Sequence, residues 1–428
     1  MTVEIIPRVL SGSVSAPCSK SDAIRVLIAS ALCEEPTQIT MSCESDDILA
    51  AVRCLCALGA ETVPLCNTGT RFVMRPLSAA EITGAPVLDC KESGTALRLL
   101  LPVAAALGVS AEFTACGRLP DRPILEFTAA LESNGCSFSS QKLPFKLSGR
   151  LKAGEYTLPG NISSQYISGL LFALPLMEGS SRITLKTKLE SSSYVEMTLN
   201  TLRKFGISVK KTDGDGYTAD GKQRYKSAGS AEIEGDWSNA AFFLAAGAFG
   251  GTVTVNNLPS ASLQGDRAIE RLLRDFGADV KTAGKSGVSV CAKELRGMDI
   301  DVSETPDLFP VLAVAASAAH GTTRLVNAAR LRMKESDRIH TVAVMLKGLG
   351  ADVLEQPDSL IIHGRPYLTG GAVDGAGDHR IVMAAALASV LCKNTVTIFG
   401  AEAVNKSYPQ FFKDFSSAGG QVCVIDNR

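Results

Sequence analysis

Asp337-Arg338-Ile339-His340-Thr341-Val342-Ala343-Val344-Met345-Leu346-Lys347-Gly348-Leu349-Gly350-Ala351-Asp352-Val353 reads as a helix, a stop and the start of a strand. The apolar spacing predicts an amphipathic helix over 337–349, and Gly350 ends it, because glycine accepts the positive φ of a helix C-terminus. The same pattern recurs at 266–280, where Asp266–Phe276 leads into Gly277 and Ala278-Asp279-Val280. Four more helices of this kind are predicted over Asp46–Leu58, Pro123–Asn134, Tyr194–Phe205 and Tyr408–Ala418, ending at Gly59, Gly135, Gly206 and Gly419. The six glycines stand 69 to 76 residues apart.

A second series runs on the same period. Ala/Leu-rich helices are predicted over Ser21–Leu32, Thr95–Leu107, Ser164–Leu176, Trp237–Phe249, Leu308–Ala319 and His379–Leu391. Each follows a short polar or glycine-bearing segment suited to a helix N-cap. Six βαβαββ-like units of about 70 residues therefore point to internal duplication. In a passive solenoid the polar positions would be equivalent from unit to unit. Here they differ, which suggests helix ends converging on one site.

The bulk composition narrows the classes. The chain has 428 residues, 46% apolar and 20% charged, with a net charge of −1. That favours two or three globular domains over a disordered chain, a nucleic-acid coat or a membrane-surface protein. The longest apolar runs span about a dozen residues, short of a bilayer. Met1–Leu10 carries Glu4 and Arg8 and is not read as a secretory signal. Twelve cysteines without an export signal read as reduced cytosolic thiols, so a cytoplasmic location is expected. The four histidines are scattered and no Cys-x-x-Cys pair occurs, so no metal site is expected.

Several clusters carry chemistry. Lys20 stands at a helix mouth, and Ser21 and Arg25 at i, i+4 can hold a carboxylate together, or act as a cap and a surface arginine. Arg122 lies in a basic loop stiffened by Pro120 and Pro123 just before a helix and offers a planar donor fork to a carboxylate or phosphate, or is an exposed loop residue. Cys116, upstream of it, is a nucleophile or a structural thiol. Ser163, Ser164 and Gln165 offer hydroxyls and an amide for a phosphate. Lys334, Glu335 and Arg338 group two cations and a carboxylate, with Lys334 and Arg338 expected on one helix face. Asp307 is an N-cap or a base. Arg380 and Lys406 add further cations. Asp307 and Glu335 stand out as the acid–base carboxylates.

Together, Ser19-Lys20-Ser21…Arg25, Ser93-Gly94-Thr95…Arg98, Asp121-Arg122-Pro123-Ile124, Ser163-Ser164-Gln165, Lys334–Arg338 and Asp378-His379-Arg380 resemble the enolpyruvyl transferases. The resemblance is greatest to the 5-enolpyruvylshikimate-3-phosphate synthase family and spans essentially the whole chain. It implies an α/β fold of two similar domains, each of three βαβαββ repeats about a pseudo-threefold axis, with the active site in the interdomain cleft. The implied domains are 1–14 with 235–428, and an inserted 15–234. The implied substrates are phosphoenolpyruvate and shikimate 3-phosphate, joined by addition–elimination without metal or organic cofactor. Nucleic acid and membrane are not expected as partners, and a monomer is expected.

By matching motif, the resemblance places Lys20, Ser21, Arg25, Ser163, Ser164, Gln165, Ser191, Asp307 and Lys334 on shikimate 3-phosphate. Lys20, Gly94, Arg122, Gln165, Arg338, Arg380 and Lys406 fall on phosphoenolpyruvate, the subsite that glyphosate occupies in the family. Asp307, Glu335 and Lys20 take the proton transfers. The alternative is the sister family that transfers enolpyruvyl to UDP-N-acetylglucosamine. It typically has Lys-Asn where this chain has Lys20-Ser21, and it lacks the Ser-Ser-Gln clamp.

Overall fold

The computed structural model describes residues 1–425 except 66–69, 79–81, 83 and 213–215. The chain divides into two compact units, Met1–Pro17 with Glu234–Arg428 (the split unit) and Cys18–Ile233 (the inserted unit). Both are built from the predicted repeat. The inserted unit carries α1 (Lys20–Ala31) and α2 (Asp46–Ala57), α3 (Gly94–Leu107) and α4 (Leu125–Glu132), and α5 (Ser164–Ala173) and α6 (Ser192–Lys204). The split unit carries α7 (Trp237–Gly247) and α8 (Ile269–Phe276), α9 (Phe309–Ala318) and α10 (Arg338–Gly348), and α11 (His379–Ala388) and α12 (Phe411–Ser417).

The odd-numbered helices are the Ala/Leu-rich ones, and they form the interior. Every residue of α7 is buried, as are all of α3 from Gly94 to Ala106 and all of α11. A helix apolar on every side has nowhere else to go. In the split unit α7, α9 and α11 pack on one another. The even-numbered helices bury one face only; α8 buries Ile269, Leu272, Leu273 and Phe276 and exposes Arg271 and Arg274.

Six four-stranded sheets of one topology are present among the described residues. In the sheet of α3 and α4, Val87–Asp89 runs parallel to Ala111–Thr114. That strand is antiparallel to Phe145–Gly149, which is antiparallel to Cys136–Phe138. Three sheets recruit a distant strand, and in one of them Gly12–Ser15 lies parallel to Thr252–Asn256. Ser230–Glu232 lies parallel to Thr37–Thr40, with Ala231 opposite Ile39, so the inserted unit's last strand completes its first repeat. Thr2–Ile6 lies between Val396–Phe399 and Gln421–Ile425, with Val3 opposite both Ile398 and Val424, so the first strand completes the last repeat.

All six helix-ending glycines, Gly59, Gly135, Gly206, Gly277, Gly350 and Gly419, have φ between 78° and 110°. At Gly277 a Cβ would also stand 2.5 Å from the Glu294 carbonyl oxygen, so the returning chain needs glycine there twice over. Helix starts differ from expectation by up to three residues. Asp266 lies in a 3-10 turn (Gly265–Ala268) ahead of α8. Tyr408 precedes Pro409, which disfavours helical backbone before it, and α12 begins at Phe411.

Candidate active site

In the inserted unit the polar residues gather at helix N-termini. Ser19 caps α1 by accepting from Asp22 N, and Lys20 Nζ lies 2.9 Å from Asp47 Oδ2 of α2. Arg25, 1% exposed, donates from Nε to Thr198 Oγ1 (2.8 Å), from Nη1 to Ser21 O (2.7 Å) and from Nη2 to Tyr194 O (3.0 Å). All three partners are neutral oxygens. Burial accordingly pulls the guanidinium down to about 10, with Tyr194 and Asp22 opposing. A buried cation held this way is a ready receptor for an anion. Thr198 also donates to Ser168 Oγ at 3.0 Å, tying α1, α5 and α6 at one point.

Two further arginines converge on Gly94, the first residue of α3. A Cβ there would stand 2.6 Å from Arg98 Nη1 and 2.9 Å from Arg122 Nη1, so the missing side chain keeps space between the two forks. Arg98 donates to Gln165 Oε1 (3.2 Å) and Pro123 O (3.0 Å), and Gln165 Nε2 donates to Thr95 Oγ1 (2.8 Å). Gln165 is thereby fixed at the mouth of α5, where Ser163 is the cap and Ser164 is buried. Ser191, also buried, precedes α6 with φ of 54°, a backbone conformation costly for serine and common at functional positions.

The split unit centres on Arg338, 1% exposed and gripped by three carboxylates. Nη1 donates to Asp307 Oδ1, Nη2 to Glu335 Oε2 and Nε to Asp378 Oδ2, each at 2.8 Å. Burial works against its charge, but Asp378, Glu335 and Asp307 outweigh that and hold it above the usual arginine range. Asp307 also meets Arg380 Nη2 at 3.1 Å and Lys334 Nζ at 3.6 Å. Burial pushes the Asp307 carboxyl up, yet Arg380, Lys334 and Arg338 together hold it well below the usual range. Burial brings the Lys334 ammonium down to about 8, with Asp307 opposing and Arg338 adding. Lys406 is buried at the end of the 3-10 segment Ala401–Lys406, and its neighbour Ser407 is bonded to Asn239 of α7 at 3.3 Å.

The family model for EPSP synthase (3-phosphoshikimate 1-carboxyvinyltransferase) matches residues 5–415. The chain belongs to the EPSP synthase family. The 3-phosphoshikimate 1-carboxyvinyltransferases of Clostridium kluyveri and Clostridium novyi are 42% and 39% identical to it, each over 98% of both chains. The EPSP synthase structure from Acinetobacter baumannii superposes with a TM-score of 0.81 at 27% identity, covering 99% of this chain and 100% of that one. The enolpyruvyl transferase NikO from Streptomyces tendae shares the fold, with a TM-score of 0.79 at 16% identity, over 99% of this chain and 98% of that one.

In this member of the EPSP synthase family, Lys334 and Glu335 precede the helix instead of riding on it. Lys334 is extended and α10 begins at Arg338, capped by Asp337, which accepts from His340 N. Their grouping thus comes from a turn, not from helical spacing. Ser336 is not the cap; its hydroxyl donates to Asp378 Oδ2 at 3.0 Å. Asp47, Arg98, Thr198, Asp266 and Asp378 were not singled out as site residues by sequence. Arg98 and Asp378 stand inside the quoted motifs without an assigned role, whereas Asp47, Thr198 and Asp266 meet partners distant in sequence that no local pattern marks. The described cysteines are all free thiols, and Cys116 is exposed. No group of three potential metal ligands occurs among the described residues, and no helix among them is long and apolar enough to cross a membrane.

Proposed function

We propose that the chain transfers the enolpyruvyl group of phosphoenolpyruvate to the 5-hydroxyl of shikimate 3-phosphate, releasing phosphate. The observation that carries this reading is the Arg338 hub. It fixes Asp307 and Glu335, a candidate base and a candidate acid, on one guanidinium beside Lys334 and Arg380. Asp307 takes the proton as the 5-oxygen bonds to C2 of phosphoenolpyruvate, and Lys334 offsets the charge forming on that oxygen. Glu335 or Lys20 delivers a proton to C3, giving a tetrahedral intermediate. The C2–O bond to phosphate then breaks while C3 gives its proton back, leaving the enol ether.

Ser21 and Arg25 receive the shikimate carboxylate, Arg25 having only neutral partners in the protein. Ser163, Ser164 and Ser191 receive the 3-phosphate, and Gln165 contacts both substrates. Arg122 and the Gly94 backbone, with Lys20, Arg338, Arg380 and Lys406, receive phosphoenolpyruvate. Arg338 has one donor left for it, the second N–H on Nη1. The enzyme acts as a cytoplasmic monomer in this reading; sedimentation of the purified chain tests the second point.

The experiment that tests the reaction supplies phosphoenolpyruvate with either shikimate 3-phosphate or UDP-N-acetylglucosamine and identifies the product by NMR. An enol ether on the shikimate 5-oxygen is expected, and product only from the nucleotide sugar would overturn the reading.

A further inference from the structure

Asp266 is buried in the split unit and takes none of the roles assigned above. It lies in the 3-10 turn Gly265–Ala268 against the N-terminus of α7. Gln264 seals that contact, accepting from Trp237 N at 3.0 Å and donating to Glu234 Oε1 at 2.7 Å and Gly235 O at 2.8 Å. The Asp266 side chain is 2% exposed. Its Oδ2 accepts from the Ser238 hydroxyl of α7, while its Oδ1 has no hydrogen-bond donor. A buried carboxylate oxygen without a donor is costly to keep charged. Of the charges around it, Asp307 ahead of α9 and Asp236 at the α7 cap oppose ionisation, and Arg380 of α11 favours it. On its own turn Arg267 is paired at 3.2 Å with Glu270 of α8.

We propose that Asp266 is a positioning residue for enolpyruvyl transfer, acting through Asp307 and Arg380 by holding or releasing one proton. The inference rests on the roles given above to those two residues. Around Asp307, the cations Lys334, Arg338 and Arg380 are already matched by the carboxylates Asp307, Glu335 and Asp378. A fourth carboxylate would compete for Arg380 and add negative charge where an anionic substrate must bind. A neutral Asp266 avoids both effects. The balance is close, because burial first and then Asp307 push its carboxyl up to about 7, against Arg380 and the Ser238 hydroxyl. With its proton, Asp266 leaves Arg380 to Asp307 and phosphoenolpyruvate; without it, Arg380 is shared.

Asp266→Asn is a permanently neutral isostere. The KM for phosphoenolpyruvate is measured for wild type and D266N from about pH 6 to about pH 9, spanning the titration. Substrate ionisations are common to both proteins, so the ratio of the two KM values isolates Asp266. The ratio is expected to stay constant below neutral pH and to rise severalfold above it, with the kcat ratio flat. A KM ratio that is flat throughout would overturn the proposal. Infrared spectroscopy supplies a readout independent of turnover. Wild type near pH 6 should show a protonated-carboxyl band that is lost in D266N and titrates near neutrality, and its absence would overturn the proposal. Absence of transfer by wild type would strike the assigned reaction, while the infrared band would still decide the proton on Asp266.

Discussion

Arg338 and Asp307 lie 2.8 Å apart, Nη1 to Oδ1, with the arginine almost wholly buried. The same guanidinium holds Glu335 and Asp378 at the same distance. One side chain thus sets the relative positions of both candidate acid–base carboxylates. Only a planar fork can meet three carboxylates in three directions.

Arg338→Lys should therefore fail although it keeps the charge. A lysine reaches one carboxylate and withdraws the guanidinium from the other two, leaving buried charge less compensated. Breaking buried pairs in this way costs about 3–5 kcal/mol. A loss of unfolding free energy of that order is expected in denaturant titrations, with kcat reduced by a factor of about 100 or more.

Lys334 gives a pH signature in stability. Its folded-state pKa is about 8, below the ordinary 10.5, chiefly because of burial. The sign follows from proton binding: between those values the unfolded chain binds more protons, so stability rises with pH through that window. Lys334→Met lacks this term. The difference in Tm between wild type and variant should move in favour of wild type as pH rises from about 8 to about 10.5. A difference independent of pH would contradict the buried ammonium.

Gly94→Ala puts a methyl group 2.6 Å from Arg98 Nη1 and 2.9 Å from Arg122 Nη1. Both contacts are with flexible side-chain ends, so the fold should survive. The arginines must move, and the KM for phosphoenolpyruvate should rise by about tenfold or more with a smaller change in kcat, because binding geometry is what is lost.

Thr198→Val removes the acceptor of Arg25 Nε and the tie to Ser168. A buried guanidinium N–H left without a partner costs about 1–3 kcal/mol. Stability should fall by that amount, and the KM for shikimate 3-phosphate should rise while that for phosphoenolpyruvate stays near wild type.

Much of the fold was legible because its punctuation is local. The helix stops at Gly59, Gly135, Gly206, Gly277, Gly350 and Gly419 need only a positive φ, which the residue type announces. The apolar runs of α3, α7 and α11 announce their own burial. The partners of those elements were less legible. Nothing near Ser230–Glu232 says that it pairs with Thr37–Thr40, because pairing is set by the closure of the unit. In the site, motif residues such as Lys334, Glu335 and Arg338 stood out through their charge. Asp266 and Thr198 did not, since one carboxyl and one hydroxyl are ordinary until the fold buries them beside Ser238 and Arg25.

The central claim is that Asp307 and Glu335, held by Arg338, carry the proton transfers. The most direct test is the rate of phosphate release from phosphoenolpyruvate, with and without shikimate 3-phosphate, in wild type, Asp307→Ala and Glu335→Ala. Release by wild type should require shikimate 3-phosphate. In each variant it should fall by about 100-fold or more, the scale of a lost general acid or base. Near-normal release from both variants would contradict the account.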